Sequence, residues 1–228
     1  MLHSARRINA LAPLIGAKKY LEIGVLTGQT FLNVAIEERT GVDPSLHFDV
    51  AAVINDKTRL LPLTSDAFFA AEPLTSAFDV AFIDGMHTFE QVVRDFANAI
   101  VYTHRRSVIM LDDTLPNDVY STNPDQAAGM KYRRAAGSQD ISWHGDVFKT
   151  VFYLHDFWPS LNYRTITGSG NPQTLVWRAA NTGRTARYND LERISRLTFF
   201  DLMENLDVLQ VCPEDEAIRL CAEEIEAQ

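Results

Sequence analysis

Cysteine is nearly missing: only Cys212 and Cys221 occur among 228 residues. Their placement makes neither a metal knuckle nor a disulfide framework, which leads to the expectation of a reducing cytoplasm. No apolar run approaches the ~20 residues that cross a bilayer, and the first residues lack the apolar core of a secretion signal. Basic residues are in deficit as well, 21 Lys+Arg against 30 Asp+Glu for a formal net charge of −9. That balance argues against sequence-independent nucleic-acid binding, which needs a basic surface. The pairs Arg6-Arg7, Arg105-Arg106 and Arg133-Arg134 read as solvated surface. Also absent are internal repeats, low-complexity linkers and the Gly-x-Gly-x-x-Gly fingerprint of dinucleotide sites. What is left is an ordinary globular composition, 46% hydrophobic and 22% charged, long enough for one large domain with short extensions.

The most informative stretch that is present runs Tyr20-Leu-Glu-Ile-Gly-Val-Leu-Thr-Gly-Gln-Thr-Phe31. An apolar run ends in Glu22, Gly24 and Gly28 follow, and apolar residues then recur at helical spacing. This reads as a buried strand, a tight turn and a helix start, where the backbone lets a nucleoside-like ligand approach closely. A carboxylate ahead of the first glycine repels a pyrophosphate but pairs with an ammonium or accepts from a hydroxyl. The pattern therefore points away from a dinucleotide and toward S-adenosylmethionine.

The rest of the chain predicts an α/β, doubly wound, mostly parallel sheet with an antiparallel edge pair. Residues 1–19 read as a lead-in helix with Ser4 as a cap candidate and Pro13 near its end. Strands are predicted at Tyr20–Gly24, Arg39–Val42, Leu60–Leu63, Phe78–Ile83 and Ser107–Leu111, with a helix from about Thr27 to Ile36. Phe89, Val92, Val93, Phe96 and Ile100 recur at helical spacing, and Thr88 with Gln91 gives a capping-box signature. Residues 116–145 read as a long loop with a helical piece, a lid candidate, and a helix follows over about Asp146 to Asp156. Strands at Tyr163–Thr167 and Thr174–Arg178, joined by Gly168-Ser-Gly-Asn-Pro172, give the antiparallel pair. Residues 188–210 form a helical region, with Leu191, Ile194, Leu197, Phe200 and Leu206 in register, that packs on the domain or makes a homodimer contact. The organisation is thus a lead-in (1–19), a main domain (20–180) and a C-terminal helical extension (181–228).

In such a sheet the ligand lies beyond the carboxyl ends of the strands. Glu22, Asp43, Asp66, Asp84, Asp112 and Asp113 should converge there. Asp43 ends strand two and is placed to accept from ribose hydroxyls; the alternative is a turn former before Pro44. Ser65-Asp66 either reaches the adenine amine or caps the helix beginning at Ala67. Asp84-Gly-Met-His87 ends strand four, and the His87 imidazole either takes a proton from an acceptor hydroxyl or bonds only locally. Asp112 and Asp113 repel each other unless a cation or proton neutralises them. With Asp84 they form an all-oxygen set suited to Mg2+; the alternative is a turn cap beside a solvated carboxylate. Trp143-His-Gly-Asp-Val-Phe-Lys149 reads chiefly as a capped amphipathic helix, with Asp146 and Lys149 paired.

On these residues the chain resembles the class I S-adenosylmethionine-dependent methyltransferases over about residues 18–180. Within them it is most similar to small-molecule O-methyltransferases with an Ile-Asp-Gly-x-His motif after strand four and an Asp-Asp pair after strand five. The matching positions are Tyr20–Gly24, Gly41–Pro44, Phe82–His87 and Leu111–Asp113. The resemblance implies that Glu22, Gly24, Thr27, Gly28, Asp43, Ser65, Asp66 and Asp84 hold the cofactor. It implies a metal at Asp84, Asp112 and Asp113; the residues themselves point to His87 as the general base, with Asp84 orienting it or sharing the metal, acting on a sugar or phenolic hydroxyl. Catechol-type relatives carry a lysine where this chain has His87, and sugar-type relatives an acid where it has Met86. Two rivals remain at this point: a nucleotide-linked oxidoreductase on a similar sheet, and a non-catalytic nucleoside-binding protein.

Overall fold

Strands that are apolar on both faces dictate a covered parallel sheet. The computed structural model describes residues 3–74, 77–179 and 182–228. It contains β1 (Lys19–Ile23), β2 (Glu38–Val42), β3 (Thr58–Leu61), β4 (Phe78–Ile83) and β5 (Thr103–Leu111), all parallel. β6 (Leu161–Ile166) and β7 (Gln173–Arg178) form the expected antiparallel hairpin, with β7 seated antiparallel against β5. The two-residue β8 (Val211–Cys212), not expected from the sequence, pairs parallel outside β6 and forms the edge on that side. The sheet order is β3-β2-β1-β4-β5-β7-β6-β8. The expected boundary between residues 180 and 181 lies outside the described residues.

Alternation along the strands sorts the core into two layers. Leu21, Ile23, Ala81, Ile83, Ile109 and Leu111 face α2 (Ser65–Ala71), α3 (Phe89–Ala99), α5 (Phe148–Phe157) and the short α6 (Leu191–Ser195) and α7 (Phe199–Glu204). Tyr20, Val80, Phe82, Val108 and Met110 face α1 (His3–Ile15) and α8 (Glu214–Glu226). α3 packs the stripe Phe89, Val92 and Phe96 into the first layer. Phe96 is fully buried, and burial of a side chain of that size contributes roughly 1.5–3 kcal/mol.

Several local expectations are corrected. Only a single 3-10 turn, Phe31–Asn33, stands where a helix over 27–36 was expected. The carbonyls that such a helix would need are taken: Arg39 donates to the carbonyls of Phe31 and Val34, and Asn9 donates to that of Asn33. Ser4 lies inside α1 rather than capping it, and its hydroxyl accepts from Gln173. The Thr88 hydroxyl makes no capping bond; Asp146 Oδ1 accepts instead from the Phe89 amide at 2.7 Å. The C-terminal region breaks into α6, α7 and a 3-10 turn. It packs on the domain through Ile194, Leu202, Val208 and Leu209, while Leu191, Phe200 and Leu206 of the expected face are exposed. Of the three arginine pairs read as solvated, Arg7 and Arg133 are buried. Arg133 ties residues 116–145 together by donating to the carbonyls of Asp140 and Ser142 and to Asp118. That segment holds α4 (Gln126–Ala135).

Candidate active site

β1 and β4 end side by side, and their backbones come so close that only glycine fits between them. Gly24 has φ +92, and a Cβ there would stand 1.9 Å from the Asp84 carbonyl oxygen. The glycine is thus required by the protein itself, not by a ligand. Gly28, φ +75, shapes the same turn against Leu32 and Phe48 and does not line the cleft. Asp43 organises the turn from the neighbouring strand. Its Oδ2 accepts from the Leu26 amide at 2.8 Å and its Oδ1 from the Ser45 amide at 2.7 Å. Leu26 is held by that bond at φ +43, a left-handed conformation that a leucine keeps only when its surroundings impose it.

The strand ends open into a cleft of about 780 Å³. Glu22, Asp43, Asp66, Asp84, Asp95 and Asp112 line it, together with Thr27, Ser65, His87, Gln91 and Asn171, and among the described residues no lysine or arginine does. The convergence expected from the strand-end acids is therefore present, and Asp95 joins them from α3. Thr64, not Ser65 or Asp66, caps α2 by accepting from the Ala67 amide. Ser65 and Asp66 accept from the Gln91 amide nitrogen instead, at 3.1 and 3.3 Å.

So many acids in one hollow cannot all ionise easily. Burial pushes the Glu22 carboxyl up to about 8, although the Tyr20 hydroxyl donates to it at 2.6 Å. Burial, then the charges of Asp112, Asp113 and Glu22, hold Asp84 well above the ordinary carboxylate range. Burial and the adjacent Asp113 charge bring Asp112 to about 6. Asp113 moves the other way: burial opposes its charge, but the His87 ring beside it prevails and lowers it.

His87 sits between carboxylates. Its Nδ1 lies 2.5 Å from Asp113 Oδ2 and its Nε2 3.7 Å from Asp84 Oδ1. Burial favours the neutral ring, but Asp113 outweighs it and His87 is raised. Trp143 stacks on the ring with centroids 4.7 Å apart. Gly145, φ +59, passes so close that a Cβ would stand 1.6 Å from the His87 carbonyl oxygen. The Trp143–Asp146 strap thus clamps the His87 turn; Asp146 also pairs with Lys149 at 2.8 Å, as expected. His144, near Asp113 at 3.9 Å, is lowered by its burial.

The expected metal set is rearranged. One ligand atom each from Asp84, His87 and Asp113 lie within 4.8 Å of one another. Asp112 Oδ1 is instead occupied by amide donors from Asn171 at 2.6 Å and Gln173 at 3.0 Å. Asn171 also donates to Asp113 Oδ1 at 2.6 Å. Neither amide was singled out in the sequence, because Gly168–Pro172 carries only a turn signal and Gln173 falls between that turn and the expected strand.

Residues 21–114 match the family model of a methyltransferase domain. That segment brings Glu22, Asp43, Asp66, Asp84, His87 and Asp112 into the cleft, with Asp113 behind it against His87. No curated protein matches the chain. Among solved structures, a Klebsiella pneumoniae protein with an O-methyltransferase designation is 18% identical, covering 79% of this chain and 81% of its own, with a TM-score of 0.55. The Podospora anserina methyltransferase PaMTH1, solved with S-adenosylhomocysteine, is 14% identical over 77% of each chain, TM-score 0.54. The O-methyltransferase from Bacillus cereus, also solved with S-adenosylhomocysteine, is 16% identical over 76% of this chain and 80% of its own, TM-score 0.53. At such identities the likeness carries the fold alone.

Proposed function

We propose that the chain is an S-adenosylmethionine-dependent O-methyltransferase acting on a small neutral or cationic hydroxyl compound. The observation that carries this reading is the cleft with six carboxylates and, among the described residues, no lysine or arginine. A ligand bearing an ammonium and a sulfonium relieves that charge, whereas a pyrophosphate or an anionic acceptor aggravates it. The cofactor supplies an electrophilic methyl carbon. In this reading Glu22 takes the ammonium, Asp43 the ribose hydroxyls, and Ser65 with Asp66 the adenine.

His87 is the proposed general base. Asp113 fixes its Nδ1, which leaves Nε2 to take the acceptor proton, the orienting logic of an acid–imidazole pair. A second reading is favoured by the Asp84–His87–Asp113 cluster. A divalent cation held there would orient and acidify the acceptor hydroxyl. The imidazole makes this donor set better suited to Mn2+ or Zn2+ than to Mg2+, which prefers oxygen. A homodimer through the exposed Leu191, Phe200 and Leu206 belongs to the same proposal, and a monomer by light scattering would remove it.

The test is calorimetry with S-adenosylmethionine, S-adenosylhomocysteine and NAD, followed by transfer of labelled methyl to a panel of sugars and phenols with and without chelator. Binding of the first two and not of NAD is expected. Chelator-insensitive transfer that is lost in His87→Ala supports the base; chelator-sensitive transfer restored by Mn2+ supports the metal.

A further inference from the structure

Arg7 follows the half-exposed Arg6 on α1, yet its own side chain has no exposed surface. It lies outside residues 21–114 that match the methyltransferase domain. All five of its guanidinium N–H groups find acceptors. Nε donates to Glu214 Oε2 at 3.0 Å, at the start of α8. Nη1 donates to the Asn171 carbonyl at 2.6 Å and to Gln173 Oε1 at 2.5 Å. Nη2 donates to the carbonyl and the hydroxyl of Ser169, both at 3.2 Å. Burying a charge opposes folding unless every partner is in place, so so complete a set is weak evidence for stability alone and calls for another role.

The two residues on the far side of Arg7 are those that hold the acid rim. A guanidinium only donates, so it fixes the Gln173 amide with its oxygen inward and its nitrogen pointing away. That nitrogen donates to Ser4 Oγ at 2.7 Å and to Asp112 Oδ1 at 3.0 Å. Asn171, whose carbonyl Arg7 holds, donates its side-chain nitrogen to Asp112 Oδ1 and Asp113 Oδ1, both at 2.6 Å. The turn sits tightly over α1: at Gly170, φ +114, a Cβ would stand 2.1 Å from the His3 ring. An unbroken path of polar contacts therefore runs from Glu214 through Arg7 and the two amides to the paired aspartates.

We propose that Arg7 is a positioning residue of the cleft: it locks the Asn171 and Gln173 amides onto one oxygen of Asp112 and of Asp113, leaving the other oxygens to face ligand and His87. The proposal rests on reading the cleft as the S-adenosylmethionine site. Its consequence is selective. The sulfonium charge distinguishes S-adenosylmethionine from S-adenosylhomocysteine, and correctly aimed carboxylates sense that charge. Disordering them weakens the cationic ligand more than the neutral thioether.

The experiment measures the affinities of both ligands by calorimetry for the full chain and its Arg7→Met, Arg7→Lys and Asn171→Ala variants. Arg7→Met is expected to weaken S-adenosylmethionine about tenfold more than S-adenosylhomocysteine, equivalent to one decade in dissociation constant. Arg7→Lys, which keeps the charge without the fork, is expected to fall between. Asn171→Ala leaves Arg7 and both terminal helices untouched, so it covers the case in which Arg7→Met fails to fold, and it should reproduce the selective loss. Equal weakening of both ligands, or no change in Asn171→Ala, overturns the proposal and leaves Arg7 a purely structural clasp. Failure of the unaltered protein to bind either ligand sinks the cofactor reading and the proposal with it; binding of both puts only the Arg7 relay at stake.

Discussion

Glu22→Gln probes the buried charge most sharply. The substitution keeps shape and can still accept from the Tyr20 hydroxyl, but it removes the titrating proton. Glu22 is 1% exposed and its carboxyl is pushed up to about 8 from an ordinary 4.5. In the unfolded chain it ionises above its ordinary value, whereas in the fold it stays protonated until the higher one. Its contribution is therefore fully present at low pH and is lost as pH rises through that window. A displacement of this size corresponds to at most about 5 kcal/mol, a large part of a typical domain's ~5–15 kcal/mol stability. Urea unfolding of both proteins should coincide near pH 4.5, and the variant should become the more stable by several kcal/mol above pH 8. At pH 7 a group titrating near 8 is roughly nine-tenths protonated. Binding of a cationic ligand should thus release close to one proton from the unaltered protein, read from calorimetry in buffers of different ionisation enthalpy. The variant should release less and bind more weakly. Parallel stability curves for the two proteins across the whole pH range would refute the reasoning.

Asp113→Asn should lower the His87 titration, because the carboxylate that favours the charged ring is gone; a base works only when deprotonated, so the acid limb of a methyl-transfer pH profile should move to lower pH. His87→Ala should abolish turnover while leaving S-adenosylhomocysteine affinity within about threefold, a difference under ~0.7 kcal/mol; unchanged turnover removes His87 from the chemistry. Gly24→Ala forces a Cβ 1.9 Å from the Asp84 carbonyl at a positive φ, and a loss above about 3 kcal/mol in urea unfolding is expected. If the metal reading holds, Mn2+ should raise the melting temperature of the unaltered protein and fail to do so in Asp84→Asn/Asp113→Asn.

The sheet was legible because its strands are short apolar runs ended by acids. Phe78–Ile83 has the expected bounds, and β1, β2, β6 and β7 fall within two residues of theirs. The rim was legible for the same reason, since every strand-end carboxylate named from the sequence except Asp113 lines the cleft, and Asp113 stands behind it against His87. Illegible were contacts made across long sequence distances. Nothing local tells that Arg39 and Asn9 take the carbonyls of residues 31–34, that Asp146 caps a helix 57 residues away, or that Arg7 is buried while Arg6 is not. The grouping of Asp84 and Asp113 with His87 was not legible because adjacency of Asp112 and Asp113 says nothing of where their side chains point. Asp113 has φ +58, which turns it toward His87, while Asp112 is held by amides from the β6–β7 hairpin.

The central claim is tested most directly by a crystal structure of the protein grown with S-adenosylhomocysteine. The account predicts density in the cleft with the ribose against Asp43, the amino group toward Glu22 and the adenine beside Asp66. Density elsewhere on the molecule, or a cleft that stays empty at saturating ligand while NAD binds there, would contradict it.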